Sequence, residues 1–205
     1  MPRRRLFAYL ESLPAGARSF SECRVRGEVL DATLEWLAEV ESAPDPVLED
    51  WLQSQRPMGK ALEWIPEVLL NAVSLQIVDD GYPSDESWLN EVYRRQRAVY
   101  QTPLYRALLL VLSPTLLTMG AQDRWKAYRT GSELVVDRWT REGSRRLTTA
   151  TLRYPPGLHT ETHLLSLGEA IHAAVDACGA RESRLELLSA QSRPGEARLR
   201  LSYEA

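Results

Sequence analysis

His159, His163 and His172 are the only histidines of this 205-residue chain, and all three fall in the stretch GLHTETHLLSLGEAIHAA at 157–174. His159 and His163 are four apart. On a helix they would share a face and could hold one metal ion. The zinc-protease arrangement places a glutamate directly after the first histidine, where it serves as general base. Here Glu161 comes one place later and would point off the histidine face. Pro155, Pro156 and Gly157 disfavour helix, and Thr160 and Thr162 are both candidate N-caps. An apolar stripe then runs Leu164, Leu167, Gly168, Ile171, Ala174, Val175, Cys178. Counting back from it puts His159 in a turn and His172 on the flank of the stripe. Capping or surface roles are therefore expected for the histidines, and no metal.

The other reactive residue types are sparse. Cys23 and Cys178 are too few for a disulfide framework and read as reduced thiols of a cytoplasmic protein. Cys178 closes the apolar stripe, where a packed, inert thiol is expected. The chain has no Gly-rich phosphate loop, no G-x-S-x-G elbow and no Cys-x-x-Cys pair. A small hydrolase or isomerase using His159 or His163 with an acidic partner is an alternative, since catalytic groups can come from distant segments.

Aromatic and basic residues are the stronger signal. There are six tryptophans and eight tyrosines. Trp125 and Trp139 lie among Arg124, Arg129, Arg138 and Arg141, with Tyr128 beside them. Rigid rings amid guanidinium groups suit an acidic or aromatic peptide, or an anionic small molecule. These seven residues are the candidate ligand-binding set.

Helices and strands must position them. The first 130 residues read as helical, with segments over Arg4–Leu13, Gly27–Ser42, Pro46–Gln53, a central apolar helix that either begins at Ile65 or is kinked at Pro66, and a helix capped by Ser84. "TPLYRALLLVLSPTLLTMG" is apolar nearly all round and reads as a buried helix that Pro114 bends or breaks. "AQDRWKAYR" gives a short polar helix. Residues 131–205 change character. Two strand-like runs joined by Gly143-Ser144 form a hairpin, a helix capped by Gly179 follows, and two further strands meet at Pro194-Gly195. The reading is an α+β fold: a helical half at 1–130, then β-β-α-β-β at 131–205. The second half is a four-stranded, mainly antiparallel sheet with one covering helix, within a single domain.

Bulk properties exclude several classes. The net charge of −3 argues against nucleic acid and anionic membranes as partners. The longest apolar run, at 107–112, is far below the ~18 residues that a membrane span requires. The opening "MPRRRLFAYLESLPAGA" has the outline of a signal peptide, but its apolar core is short and interrupted by Glu11. A cytoplasmic location is expected. Charge is uneven: residues 31–99 carry a net −9 and residues 124–153 a net +5.

"YRTGSELVVDRW", "LSLGEAIHAAVDACGAR", "RLELLSAQ" and "ARLRLSYEA", with "VRGEVLDATLEWL" and "YPSDESWLNEVYRRQRAVY" nearer the N-terminus, resemble a paralogous myxobacterial family of uncharacterised proteins of about this length. More distantly, a helical half followed by β-β-α-β-β is similar to the haem-nitric-oxide-binding and vinyl-reductase-like domains. That likeness implies a small hydrophobic ligand. The haem-binding members carry a histidine on a helix ahead of the sheet and a Tyr-x-Ser-x-Arg motif. Here no histidine precedes His159 and the motif is missing, so no cofactor is expected.

Together these readings lead to a non-catalytic binding protein. It would present a peptide, for example the precursor peptide of a biosynthetic pathway, or a small ligand, in a groove between helices and sheet. Partner enzymes would act on what it holds. A regulatory or signalling adaptor that homodimerises through a sheet edge or its acidic helices is the other alternative.

Overall fold

Prolines and side-chain caps cut the first part of the chain into helices. The computed structural model describes residues 3–55, 64–102, 113–191 and 195–204. Among these, α1 (Arg4–Ser12), α2 (Gly27–Glu39), α3 (Pro46–Gln55), α4 (Glu67–Gly81), α5 (Asp85–Tyr100), α6 (Pro114–Met119) and α7 (Ala121–Tyr128) precede the sheet. Ser84 starts α5 through a reciprocal capping box: each of Ser84 and Ser87 accepts the other's backbone N–H. The apolar segment at 103–112, expected as a buried helix, lies outside the described residues. Of the two readings of Pro114, a bend or a break, the described residues fit the break: Pro114 opens a helix of its own. Ser113 Oγ accepts from the Leu116 N–H at 3.2 Å, and Pro114 occupies the first turn, where a missing N–H costs nothing.

The central helix starts two residues later than its apolar pattern implies. A residue before proline is pushed out of the helical region, so Ile65 stays extended. Trp64–Pro66 forms β2, antiparallel to β1 (Arg24–Arg26), with Val25 opposite Ile65. α4 then begins at Glu67, whose N–H is bonded to Cys23 O at 3.0 Å. From Glu67 to Val78 every residue except Ser74 is buried, so the other helices pack around α4.

The second half is antiparallel sheet: β3 (Glu133–Val136), β4 (Thr140–Glu142), β5 (Arg145–Arg153), β6 (Arg181–Gln191) and β7 (Glu196–Glu204). The order is β3-β5-β7-β6, with β4 also on β5. The four strands expected become five because the first run breaks at 137–139. There Thr148 Oγ1 donates to Asp137 O at 2.7 Å, and Trp139 turns inward. Gly143, at φ +61°, makes the turn into β5. α8 (Glu161–Ala177) lies across one face, so the fold is α+β. It approaches so closely at Gly168 that an added Cβ would sit 2.4 Å from Leu185 Cδ2.

One apolar cluster runs through both halves, from Leu6, Leu30 and Leu69 to Leu152, Leu164 and Leu199. A smaller one joins Val175, Leu201 and Tyr203 to Trp139. Three aromatics pack beside the first: Trp36 stacks on Trp88 with centroids 4.5 Å apart, and Tyr82 meets both edge-on. Such pairs add about 0.5–1.5 kcal/mol beyond their burial. Among the described residues no helix is long and apolar enough to cross a membrane.

Candidate functional site

Among the described residues three places bear on function: a buried seam between helices and sheet, a charge network around His172, and an open groove at the sheet margin.

The seam is built on α4. Glu67 and Asn71, one turn apart, are two of the three buried polar residues of α4, with Gln76 the third. Glu67 has no solvent exposure and forms an ion pair with Arg129, from the segment that leaves α7. Burial pushes the Arg129 guanidinium down to about 10, which leaves it charged at neutral pH. Arg129 also stacks over the Trp125 ring, 4.9 Å from its centroid. The segment after it is pinned to β1: Thr130 N donates to Arg24 O at 2.9 Å, and Cys23 Sγ donates to Gly131 O at 3.4 Å.

His159 and His163 close the seam from the sheet side, and both are buried. His163 Nδ1 accepts the Thr160 N–H at 3.1 Å in a capping box, so its proton is on Nε2, which donates to Asn71 O at 3.0 Å. Asn71 Nδ2 donates to Leu158 O at 2.9 Å and approaches His159 Nδ1 at 3.5 Å, which leaves the His159 proton on Nε2. That nitrogen faces Glu67 Oε1 at 3.8 Å, beyond hydrogen-bond range. Tyr9 completes the group by donating to Leu158 O at 2.9 Å. Desolvation lowers both histidines, His163 to about 4 and His159 well below its ordinary range. The surface role expected for these two is therefore corrected: both are interior, and His163 caps α8. Burial also raises both thiols, Cys23 to about 12.

His172 behaves differently. Ser183 Oγ donates to Asp176 Oδ1, since a carboxylate only accepts. Its oxygen therefore accepts from His172 Nε2 at 2.7 Å, while His172 Nδ1 faces Glu169 Oε2 at 3.0 Å. Both ring nitrogens donate, and the two carboxylates raise the imidazole above its ordinary value against the opposing effect of burial. The serine has no free base beside it, so this Ser-His-Glu spacing is a charge network and not a nucleophile.

The groove is open, about 430 Å³, and lies between α6, the end of α8 and the sheet. Ser113 and Thr115 line it from α6, Gly179 and Ala180 from the turn after α8, and Arg146, Arg181, Tyr203 and Glu204 from the strands. Among the described residues the Arg146 guanidinium hydrogen-bonds only Thr115 Oγ1, at 3.5 Å, and neither arginine has a carboxylate partner there.

The seven residues singled out in the sequence divide between these places. Trp125 and Arg129 belong to the seam, with Trp125 Nε1 donating to Ser132 Oγ at 3.1 Å. Trp139 backs the groove: its ring meets Tyr203 edge-on at 5.0 Å, and its Nε1 donates to Thr118 Oγ1 at 2.6 Å. Arg141 is paired across the strands with Arg146. Arg124, Tyr128 and Arg138 are exposed. Sequence reasoning missed Glu67 and Asn71, although two polar residues one turn apart in an apolar helix were a readable signal. It also missed Arg146, Arg181 and Tyr203, which carry none.

No family model matches the chain, and no curated protein matches it. Solved structures do. One is described as "Modulating Heme Redox Potential Through Protein-Induced Porphyrin Distortion"; it is 11% identical over 100% of both chains, with a TM-score of 0.48. A second, from work on haem distortion in the H-NOX family, is 12% identical over 87% of this chain and 85% of its own, also at 0.48. A mutant of T. tengcongensis H-NOX is 13% identical over 100% of this chain and 97% of its own, at 0.43. At these scores the likeness is one of overall course and assigns this chain no ligand. Its histidines do not fit an axial haem ligand. His163 and His172 have both ring nitrogens engaged, and His159 Nε2 faces a carboxylate. Among the described residues no group of three His, Cys, Asp or Glu could hold a metal ion.

Proposed function

We propose that this chain is a non-catalytic binding protein that holds an anionic peptide, or a small ligand of the same chemistry, in the groove between α6, the end of α8 and the sheet. The observation that carries this reading is a pair of arginines, Arg146 and Arg181, facing an open groove without a carboxylate partner among the described residues. Planar guanidinium forks bind carboxylates or phosphates bidentately. The Tyr203 ring, backed by Trp139, supplies the flat apolar wall that such sites combine with a few polar anchors. Ser113 and Thr115 add hydroxyl groups. Glu204 at the rim selects against ligands that are acidic throughout. Trp139 serves this site through Tyr203, and Arg141, the strand partner of Arg146, adds positive charge beside it. In a biosynthetic setting the ligand would be a precursor peptide held for separate modifying enzymes.

Native mass spectrometry of the purified protein is the direct test. A bound ligand adds mass that is lost on denaturation. In a titration with an acidic synthetic peptide, R146A/R181A weakens binding by about tenfold or more, with an unchanged melting temperature. A bare polypeptide mass together with no peptide binding, or binding equal in the double variant, overturns the reading.

A further inference from the structure

β6 ends the sheet. Its inner edge pairs with β7, and among the described residues no strand pairs with its outer edge. At eleven residues it is long for an edge strand, and natural proteins keep exposed edges short or blunted because unpaired N–H and C=O groups template pairing with another chain. Two register irregularities flank a regular run from Arg184 to Leu187. Leu185 and Leu187, which point toward α8, stay half-buried, whereas their β7 partners Leu201 and Leu199 are 3% and 2% exposed. The missing cover is lateral.

The charges on the outward face of this run are self-complementary. Glu186 pairs with Arg200 of β7, while Arg184, whose strand partner is Ser202, has no ion-pair partner among the described residues. A second copy related by a twofold axis normal to the sheet would add its β6 antiparallel to this one. Same-face residues then lie opposite one another. An axis through Leu185 places each Arg184 opposite the partner copy's Glu186, twice, and brings the two Leu185 side chains together on the inner face. An axis through Arg184 or Glu186 would instead oppose like charges, which destabilises a strand pair. One register is thus favoured. It extends the Arg200–Glu186 pair into a row of alternating charge.

We propose that β6 is a homodimer interface, with two copies of this chain joined edge to edge into one continuous antiparallel sheet about a twofold axis at Leu185. The groove takes only Arg181 from β6, whereas the pairing run is Arg184–Leu187, so the interface stands or falls independently of the binding reading.

The test is sedimentation velocity over a range of concentrations for the full chain, for R184E and E186R singly, and for their equimolar mixture. Each single variant sets like charges opposite one another at two symmetric places and weakens the dimer by about tenfold or more. Mixing restores association, because the carboxylate introduced at position 184 of one chain then meets the guanidinium introduced at position 186 of the other. Backbone amides in 184–187 of the wild type exchange more slowly as concentration rises. Circular dichroism confirms that each variant is folded. A wild type that remains monomeric at every concentration overturns the proposal, as does an R184E protein that dimerises as tightly as wild type.

Discussion

His163 accepts the Thr160 amide proton at Nδ1, and His172 donates from both ring nitrogens, so neighbouring groups set one proton on the first ring and two on the second. These opposite settings give opposite pH dependence. A histidine whose folded pKa lies below the unfolded value near 6.5 stabilises the fold only while neutral. Its contribution is complete above 6.5 and is lost as pH falls toward the folded value. For His163, at about 4, the loss amounts to ~3 kcal/mol by pH 4. His159 adds to it in the same direction. His172 is raised, so its contribution is present below 6.5 and disappears as pH climbs through its folded value. Proton NMR of the three imidazole C–H signals checks this directly. His172 titrates above 6.5, His163 near 4 and His159 well below 6.5. A His163 midpoint near 6.5 would show that burial does not hold its ring neutral.

Between elements, the decisive contact is α8 on the sheet. The helix meets β6 and β7 at Gly168, where hydrogen replaces a side chain. An alanine Cβ there would lie 2.4 Å from Leu185 Cδ2 and 3.4 Å from Leu199 Cδ2, so Leu185 must turn aside. Overpacking of this kind costs about 1–3 kcal/mol, against at most ~1 kcal/mol gained from the better helix propensity of alanine. Gly168→Ala is therefore destabilising and Gly168→Val more so, measured by urea denaturation. A stabilised Gly168→Ala would mean that Leu185 relaxes freely. The apolar stripe of α8 was plain in the sequence because its period matches a helix. That Gly168 is the point of closest approach was not, since it depends on where β6 lies.

Across the whole molecule, the Glu67–Arg129 pair ties the helical half to the segment leading into the sheet. Removing one member of a buried pair leaves an uncompensated charge and costs about 3–5 kcal/mol, whereas replacing both with apolar groups costs less. Arg129→Met alone is accordingly more destabilising than Glu67→Leu/Arg129→Met, as chemical denaturation of wild type, single and double variants would measure. Additive losses would show the two side chains to be uncoupled.

The amino-acid sequence by itself determined what depends on local periodicity and on backbone chemistry. Ser84 caps its helix, a threonine at 160 or 162 opens another, Gly143 and Gly179 make their turns, and the α+β order follows from a helical period that gives way to a period of two. Tertiary structure alone decided which distant groups meet. Glu67, Arg129 and His159 come from three separate segments, as do Arg146, Arg181 and Thr115. Trp125 and Trp139 look like one cluster along the chain but belong to different places, because the break at 137–139 turns Trp139 toward Tyr203 while Arg129 draws Trp125 to the seam. Periodicity reports the face a residue occupies on its own element. The neighbour across that face is set by packing and by the requirement that buried charge find a partner.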